Sequence, residues 1–458
     1  MHGYVDHAEF LEAVCGPLGW YYVAVASINA IAAVYLWRCG KAAAYCRLGR
    51  FAFTSAHVWL LVAALFAAIS LVPMSGRLDW LRFVSMPEAV KNLVDWMLNP
   101  TLFMCGLVLL LGVMFALRKF FVKPTVAWAG LNVTLLLLGL SLTDPQFAKI
   151  VAKPDNVAIV GMLFLLGYFT WLGTYRAVQN DERLKRGEPT LEAAESETVL
   201  VWPDLVYIEL ICMVGLTALL IVWSVGVEAP LEAPASTTVT PNPSKAPWYF
   251  LGLQEMLGYY DAWMAGVVVP GLIIFGLSAI PYLDVNKEGN GYYTIEQRKF
   301  AYLTHQFGFL VLWIALIVLG TFFRGPNWSF FGPYEHWDPH KTTDLYNVDL
   351  SSYFWIHMLQ TERPAIPEGA GFATKAVRIL LRESPGFVLL GAYFLLVPPA
   401  MRICSRFFRG LYQRMGFVRY SVMVLLLLIM LLLPIKMVAQ WTVNLKSFVA
   451  IPEYSLNF

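Results

Sequence analysis

Residues 420–439 read YSVMVLLLLIMLLLPIKMVA and contain one charged residue, Lys436. A run of about 20 apolar residues is long enough to cross the hydrocarbon core of a bilayer as an α-helix. Because a backbone in lipid must satisfy its own hydrogen bonds, such runs form helices. The sequence therefore predicts an all-α polytopic membrane protein with about ten transmembrane helices, the other nine at about 19–38, 55–73, 99–117, 126–142, 157–176, 205–226, 262–282, 300–321 and 385–401.

The composition of the chain agrees with this fold class. Only 14% of the residues are charged and 58% are hydrophobic, whereas a soluble domain carries about 25% charge. This shortage excludes a soluble enzyme and a disordered chain. The net charge of +2 supplies no basic patch of the kind that nucleic acid requires.

Lys and Arg residues decide the predicted orientation, because they accumulate in cytoplasmic loops. Five short loops hold 19 of the 33 basic residues, and the even number of helices places both termini on the outer, periplasmic side. Residues 79–98 are amphipathic and are predicted to lie along the outer interface. The five inner loops are 38–50, 118–123, 176–186, 287–299 and 402–419.

An ordered set of short motifs lies between Trp202 and about Phe323. Trp202-Pro203 begins an apolar helix, an outer loop carries Trp248-Tyr249-Phe250, and the next helix ends in PYLDVN at residues 281–286. This order resembles the C-terminal half of cytochrome b, and it is closest to the separate subunit IV type of cytochrome bc-type complexes. Each motif is weak alone, whereas the order over about 120 residues is specific.

The resemblance predicts five regions. They are an N-terminal five-helix membrane region at 1–180, an inner polar linker at 181–201, the cytochrome b C-terminal-like three-helix region at 202–323, an outer loop region at 324–384 and a two-helix membrane region at 385–458. The five N-terminal helices do not match the haem-binding half of cytochrome b.

The key motif of the family departs from its pattern here. The family has Pro-Glu before Trp-Tyr, and its glutamate takes a proton from quinol, whereas this chain has Ala246-Pro247. Oxidation of a quinol releases two protons, and their transfer requires a group within hydrogen-bond reach. Glu255 is the nearest carboxylate along the chain and is our predicted substitute acceptor; Asp261 is the next. The alternative is a solvated or helix-capping Glu255.

Further site residues follow from the resemblance. Pro247, Trp248, Tyr249 and Phe250 are predicted to line the quinol pocket, with Tyr249 beside Glu255 as a catalytic residue, because a ring substrate is held by apolar and aromatic walls. The alternative is an interfacial aromatic belt. At the inner side, Asp204 and Glu209 are candidates for proton uptake, since carboxylates in or near a membrane span are costly; headgroup-facing carboxylates are the alternative.

The remaining metal-ligating residue types suggest no site of this chain's own. His57 and His305 lack the paired pattern of a dihaem cytochrome, so no haem of its own is predicted. His336 and His340 have i, i+4 spacing but no further close ligand, which favours a polar docking loop. The six cysteines form no CxxC or CxxCH motif. No bound metal is predicted.

Together these features predict a subunit of a respiratory quinol:cytochrome c oxidoreductase in the bacterial inner membrane, active only within its complex. The resemblance implies a dihaem cytochrome b N-terminal-type subunit, a Rieske iron–sulfur protein and a c-type cytochrome as partners. It also implies quinol, with menaquinone as our prediction, as the substrate, proton translocation as the coupled process, contact with membrane lipid, and a dimeric complex. The alternatives are a haem-free quinone-binding anchor subunit of another oxidoreductase, a secondary transporter and a purely structural assembly subunit.

Overall fold

A computed structural model of the protein describes residues 7–48, 51–195, 199–227, 234–288, 293–342 and 347–458. Part of the predicted linker, residues 196–198, lies outside the described residues. Helices dominate the described chain. The principal ones are α1 (His7–Arg38), α2 (Ser55–Met74), α3 (Glu88–Met97), α4 (Pro100–Ala116), α5 (Pro124–Ser141), α6 (Pro154–Lys185), α7 (Val201–Gly226), α8 (Trp248–Met256), α9 (Met264–Leu283), α10 (Lys299–Phe323), α11 (Phe372–Arg382), α12 (Ser384–Cys404) and α13 (Arg406–Val443).

Short elements connect these helices. Three two-stranded sheets are formed by β1 (Ala44–Leu48) with β2 (Phe51–Thr54), β3 (Val348–Asp349) with β4 (Leu445–Ser447), and β5 (Ala450–Ile451) with β6 (Leu456–Asn457). The short helical turns are Leu78–Leu81, Arg82–Val84, Arg118–Phe121, Pro145–Val151, Leu191–Ala194, Pro326–Trp328, Leu350–Ser352, Tyr353–Met358 and Pro452–Tyr454.

The predicted fold class is confirmed. Among the described residues, nine helices are long and apolar enough to cross a membrane, and the pair α3 and α4 makes a tenth when counted as one span. These two helices meet at 81°. If α4 crosses the bilayer, α3 therefore runs nearly parallel to its surface, as predicted for the amphipathic stretch 79–98.

Two ion pairs each join connecting segments that are predicted to lie on the same side of the membrane. Arg118 Nη2 lies 2.6 Å from Glu296 Oε1, and both belong to segments predicted to be inner. Lys91 Nζ lies 2.8 Å from Asp144 Oδ2, and both belong to segments predicted to be outer. This agreement is what an alternating series of spans produces. Which side faces the cytoplasm stays a prediction.

Buried apolar residues form more than one core. Helices α1, α2 and α5 share one cluster around Tyr22 and Phe66, whereas α4 and α6 pack with α8–α10 and α13 in a larger cluster around Tyr259 and Leu316. The predicted N-terminal five-helix region is thus divided between two cores.

Helix α7 differs from the other spans because none of its residues is buried. Its mean hydropathy of 2.5 is nevertheless among the highest of the candidate spans. A helix this apolar in a membrane protein presents its whole circumference to lipid or to another subunit.

Candidate functional site

The aromatic motif opens helix α8. Pro247 precedes the helix in an extended conformation, which fits a residue that lacks a backbone N–H. The following side chains are exposed, Tyr249 to 54%. The rings contact one another edge-on, with 5.5 Å between the centroids of Tyr249 and Phe250, and Tyr249 also contacts Trp313 of α10 at 6.1 Å. The motif therefore forms an open aromatic face, defined by Pro247, Trp248, Tyr249 and Phe250.

Two glycines allow α8 to lie against α10. A Cβ on Gly320 would come within 3.2 Å of the carbonyl oxygen of Leu251, and one on Gly252 within 3.4 Å of Ile317 Cγ1. The backbones approach closely because neither glycine has a side chain at the contact. Close packing on this side buries one face of α8 and leaves the aromatic face outward.

The loop before the aromatic face is held by the Gln254 side chain of α8, by the backbone of α10 and by a contact to Trp337. Gln254 binds it at two points, because its Oε1 accepts from the N–H of Ala246 and its Nε2 donates to the carbonyl of Ser244, both at 2.8 Å. Lys245 Nζ donates to the carbonyl of Thr321 at 2.8 Å and lies 5.1 Å from the ring centroid of Trp337. These contacts fix the entry of the chain into α8.

Burial affects the charge of Lys245. It lowers the pKa of this ammonium group to about 8, with a smaller contribution in the same direction from nearby cations and an opposing one from Glu255. The loop thus carries, two residues before the aromatic face, a cation that loses its proton under mildly alkaline conditions. Sequence reasoning missed this residue because the family motif directs attention to the residues that follow it.

Glu255 lies on the buried face of α8 and is 0% exposed. Arg324, directly after α10, donates to both of its oxygens, at 2.7 Å from Nη2 to Oε1 and 3.0 Å from Nε to Oε2. The hydroxyl of Tyr259 donates to Oε1 at 2.9 Å. The three residues form a buried charge cluster, Arg324–Glu255–Tyr259.

The cluster shifts the ionisation of both partners. Burial alone would lower the pKa of Arg324, but the attraction of Glu255 outweighs it and raises that pKa. Burial, followed by the negative charge of Glu255, raises the pKa of Tyr259. Arginine therefore stays charged and tyrosine stays neutral as a hydrogen-bond donor. A proton arriving at Glu255 would reach a carboxylate whose two oxygens already accept hydrogen bonds.

The predicted site residues are not all brought together. Glu255 shares α8 with the aromatic face but belongs to its buried side, together with Leu251, Gly252 and Met256. Asp261 does not join the Arg324–Glu255–Tyr259 cluster and instead lines a separate cavity. The roles of Glu255 and Tyr249 stay predictions.

The inner candidates occupy a different helix. Asp204 and Glu209 are exposed near the beginning of α7, a helix of 26 residues and so about 39 Å long. No ion pair joins either carboxylate to another residue in the part of the chain that the structure describes. Trp202 stacks on Tyr207, with 6.1 Å between ring centroids. These carboxylates are open to an incoming partner or solvent.

His57, His305 and His336 each contact a neighbouring residue in the fold. The Nδ1 atom of His57 accepts from the backbone N–H of Thr54 at 3.1 Å and caps α2, and the ring of His305 stacks on Phe309. His336 Nδ1 lies 2.9 Å from Gln146 Nε2. Within the described ranges, no group of three or more His, Cys, Asp or Glu side chains is arranged to hold a metal ion.

Comparison with known proteins bears directly on this segment. Residues 234–332 match the family model described as cytochrome b(C-terminal)/b6/petD, and no curated protein or solved structure matches the chain. The matched range contains the aromatic face and the Arg324–Glu255–Tyr259 cluster. The resemblance predicted from residues 202–323 is thus confirmed over residues 234–323, while Trp202-Pro203 lies outside the match. The match supports a cytochrome b-type membrane subunit of a bc- or b6f-type electron-transfer complex.

Proposed function

We propose that this chain is the cytochrome b C-terminal-type subunit of a quinol:cytochrome c oxidoreductase in a bacterial inner membrane. The observation that carries the proposal is the open aromatic face of α8, held in place by the buried Arg324–Glu255–Tyr259 cluster within the matched segment. In this proposal the aromatic face is one wall of a ring-binding site, and a site that encloses its ligand requires more than one wall.

The missing wall is supplied, in this proposal, by a haem-bearing cytochrome b N-terminal-type subunit. Helix α7, which buries none of its residues within this chain, offers a second contact surface for that subunit. A Rieske iron–sulfur protein and a c-type cytochrome complete the complex, which is dimeric. The redox groups of these partners take the two electrons, whereas this chain binds and orients the quinol, with menaquinone as the proposed form.

The residues of this chain then have distinct tasks. Trp248 and Phe250 supply apolar walls, and the exposed hydroxyl of Tyr249 orients the quinol ring. Glu255 accepts a proton when Arg324 or Tyr259 releases one of its oxygens. On the inner side Asp204 and Glu209 take up protons for quinone reduction. Each charge moved across the membrane stores about 2.3 kcal/mol per 100 mV, so sided proton release couples the reaction to proton translocation.

The first test is the reduced-minus-oxidised visible spectrum of the complex that co-purifies with this chain in mild detergent. Bands of b- and c-type haem are expected, and a colourless preparation free of partners would overturn the proposal in favour of a transporter. The second test is the quinol-oxidation rate of Tyr249→Leu in a spectrally intact complex. Phe275→Leu is the matched control, because Phe275 of α9 is also an exposed aromatic residue.

A structural assembly subunit is the second candidate function. One observation favours it: the carboxylate nearest the motif is buried in an ion pair instead of lining the aromatic face. In that case Tyr249→Leu would leave the rate of an assembled complex unchanged, while the yield of assembled complex would depend on the chain.

A further inference from the structure

A cavity of about 940 Å³ opens beside the beginning of α9. Its apolar side is formed by Trp263 and Val267, which are 55% and 52% exposed. Its polar side is formed by Asp261, Lys446 and the C-terminal hairpin of β5 and β6. The cavity thus joins the first turn of a membrane span to a polar wall beyond it, which is the position of the lipid headgroups if α9 crosses the bilayer.

The polar wall is rigidly held. Arg382 binds Glu453 with two charge-assisted hydrogen bonds of 2.7 and 2.9 Å. The buried Glu383 accepts from the backbone N–H of Ala450 at 3.1 Å. Strand β4, which precedes the hairpin, pairs in parallel with β3. The wall is therefore fixed without help from a ligand.

A buried cation lies behind this wall. Lys436 of α13 is 1% exposed, and its ammonium nitrogen has no hydrogen-bond partner among the described residues. The nitrogen lies 4.1 Å from the ring centroid of Tyr260. The charged side chains that act on it are Asp261, Lys446 and Asp349, and all three line the cavity.

Two opposite charges in the cavity lining, Lys446 and Asp261, are left without an ion pair among the described residues. Asp349 is already paired with Arg363 at 3.5 Å, whereas Lys446 and Lys436 form no ion pair within the described residues. Asp261 also forms none. The side-chain oxygen of Asn457, another lining residue, is buried and has no hydrogen-bond partner in the described part of the chain. A zwitterionic group seated here would pair its anionic part with Lys446 and its cationic part with Asp261. The anionic part would also reduce the cost of the buried Lys436 ammonium group behind the wall.

We propose that this cavity binds the headgroup of a phospholipid, with its phosphodiester near Lys446. Phosphatidylethanolamine fits best, because its ammonium group matches the unpaired carboxylate of Asp261. Its acyl chains run along the exposed apolar surface of Trp263 and Val267. The volume lies within the range of small-molecule sites. This site is independent of the function proposed for the aromatic face.

The test is lipid retention by the purified full-length chain or its complex. Native mass spectrometry of wild type and Lys446→Gln, each exchanged into detergent with defined phosphatidylethanolamine, measures the bound fraction. At least a 10-fold weaker retention is expected for Lys446→Gln, on the order of one lost charge-assisted contact. Lys375→Gln is the matched control, since Lys375 is exposed on α11 and remote from the cavity lining. Equal retention in both variants would overturn the proposal.

Two further arms identify the ligand. Asp261→Asn should lose the preference for phosphatidylethanolamine over phosphatidylglycerol while it still binds both; an unchanged preference contradicts the predicted headgroup orientation. Inorganic phosphate at high concentration should not displace the lipid, and displacement would show a free-anion site instead. Thermal stabilisation of wild type by added phosphatidylethanolamine, absent in Lys446→Gln, gives a second readout that requires no retained lipid.

Discussion

Arg324 binds both carboxylate oxygens of Glu255, although 69 residues separate the two along the chain. The pair connects the segment after α10 to the buried face of α8. Because α8 carries the aromatic face on its other side, the ion pair fixes the orientation of Trp248 and Tyr249 relative to the membrane spans.

Arg324→Met should destabilise the protein by about 3–5 kcal/mol, since removal of one partner leaves a buried charge uncompensated. Thermal unfolding in detergent, followed by intrinsic tryptophan fluorescence, measures the effect. The double variant Glu255→Met with Arg324→Met is the control. It should recover most of the loss, because apolar replacement of a whole buried pair is often neutral; an equal loss in single and double variants would contradict the argument.

Glu255→Gln tests proton acceptance at the same position. The amide keeps the shape and one acceptor oxygen, but it leaves the charge of Arg324 uncompensated. Stability should therefore fall as well, and only the fraction that assembles is compared. We expect quinol oxidation to fall by about 10²–10⁴-fold, the contribution typical of general acid–base catalysis. The measurement is the steady-state rate in complexes with unchanged haem spectra, over a range of pH. A full rate would refute the catalytic role and leave Glu255 with a positioning role.

The spans were the part of the fold that sequence could predict. The apolar runs of about 20 residues correspond to α1, α2, α4–α7, α9, α10, α12 and α13 because helix formation in lipid is decided locally. Helix α11 escaped notice, since Phe372–Arg382 is too short to span and lies within a predicted loop region. Its amphipathic character is visible only once the exposed Phe372 and Val377 and the basic side chains are placed on one helix.

The partners of Glu255 could not be predicted, for a different reason. Arg324 and Tyr259 are unremarkable in sequence, and pairing over 69 residues depends on how α8 folds back on α10. The aromatic motif could be found because its residues are consecutive. The buried Lys436 was visible as the lone charge in residues 420–439, but its unpaired state depends on three-dimensional packing.

Gly320 provides the third prediction. Gly320→Leu should push α8 away from α10, because even a Cβ would come within 3.2 Å of the Leu251 carbonyl oxygen. Overpacking of this kind costs about 1–3 kcal/mol. Gly271→Leu is the matched control, since a Cβ there meets nothing within 4 Å. Thermal stability and quinol oxidation should both fall only for Gly320→Leu, and similar losses in the two variants would show that close helix contact is not the cause.

Lys245 provides the last prediction, a pH dependence of stability. Its pKa in the folded chain is about 8, against about 10.4 in an unfolded chain. Between these values the unfolded state binds more protons, so stability contributed by this group rises as pH increases through that window, by about 3 kcal/mol in total. Below about pH 8 both states are protonated and the contribution is constant.

Lys245→Met should abolish that rise. The variant also loses the hydrogen bond to the carbonyl of Thr321, but this loss lowers stability by nearly the same amount at every pH. The informative quantity is therefore the slope of stability against pH. The measurement is the difference in Tm between wild type and variant from pH 7.5 to 10.5, where wild type should gain steadily. For Lys375→Met, which removes an exposed lysine of α11, the difference in Tm from wild type should stay constant over the same pH range. Parallel Tm curves for wild type and Lys245→Met would mean that the buried ammonium group is solvated in solution, and the loop before the aromatic face would then have to be more open than the contacts of Lys245 indicate.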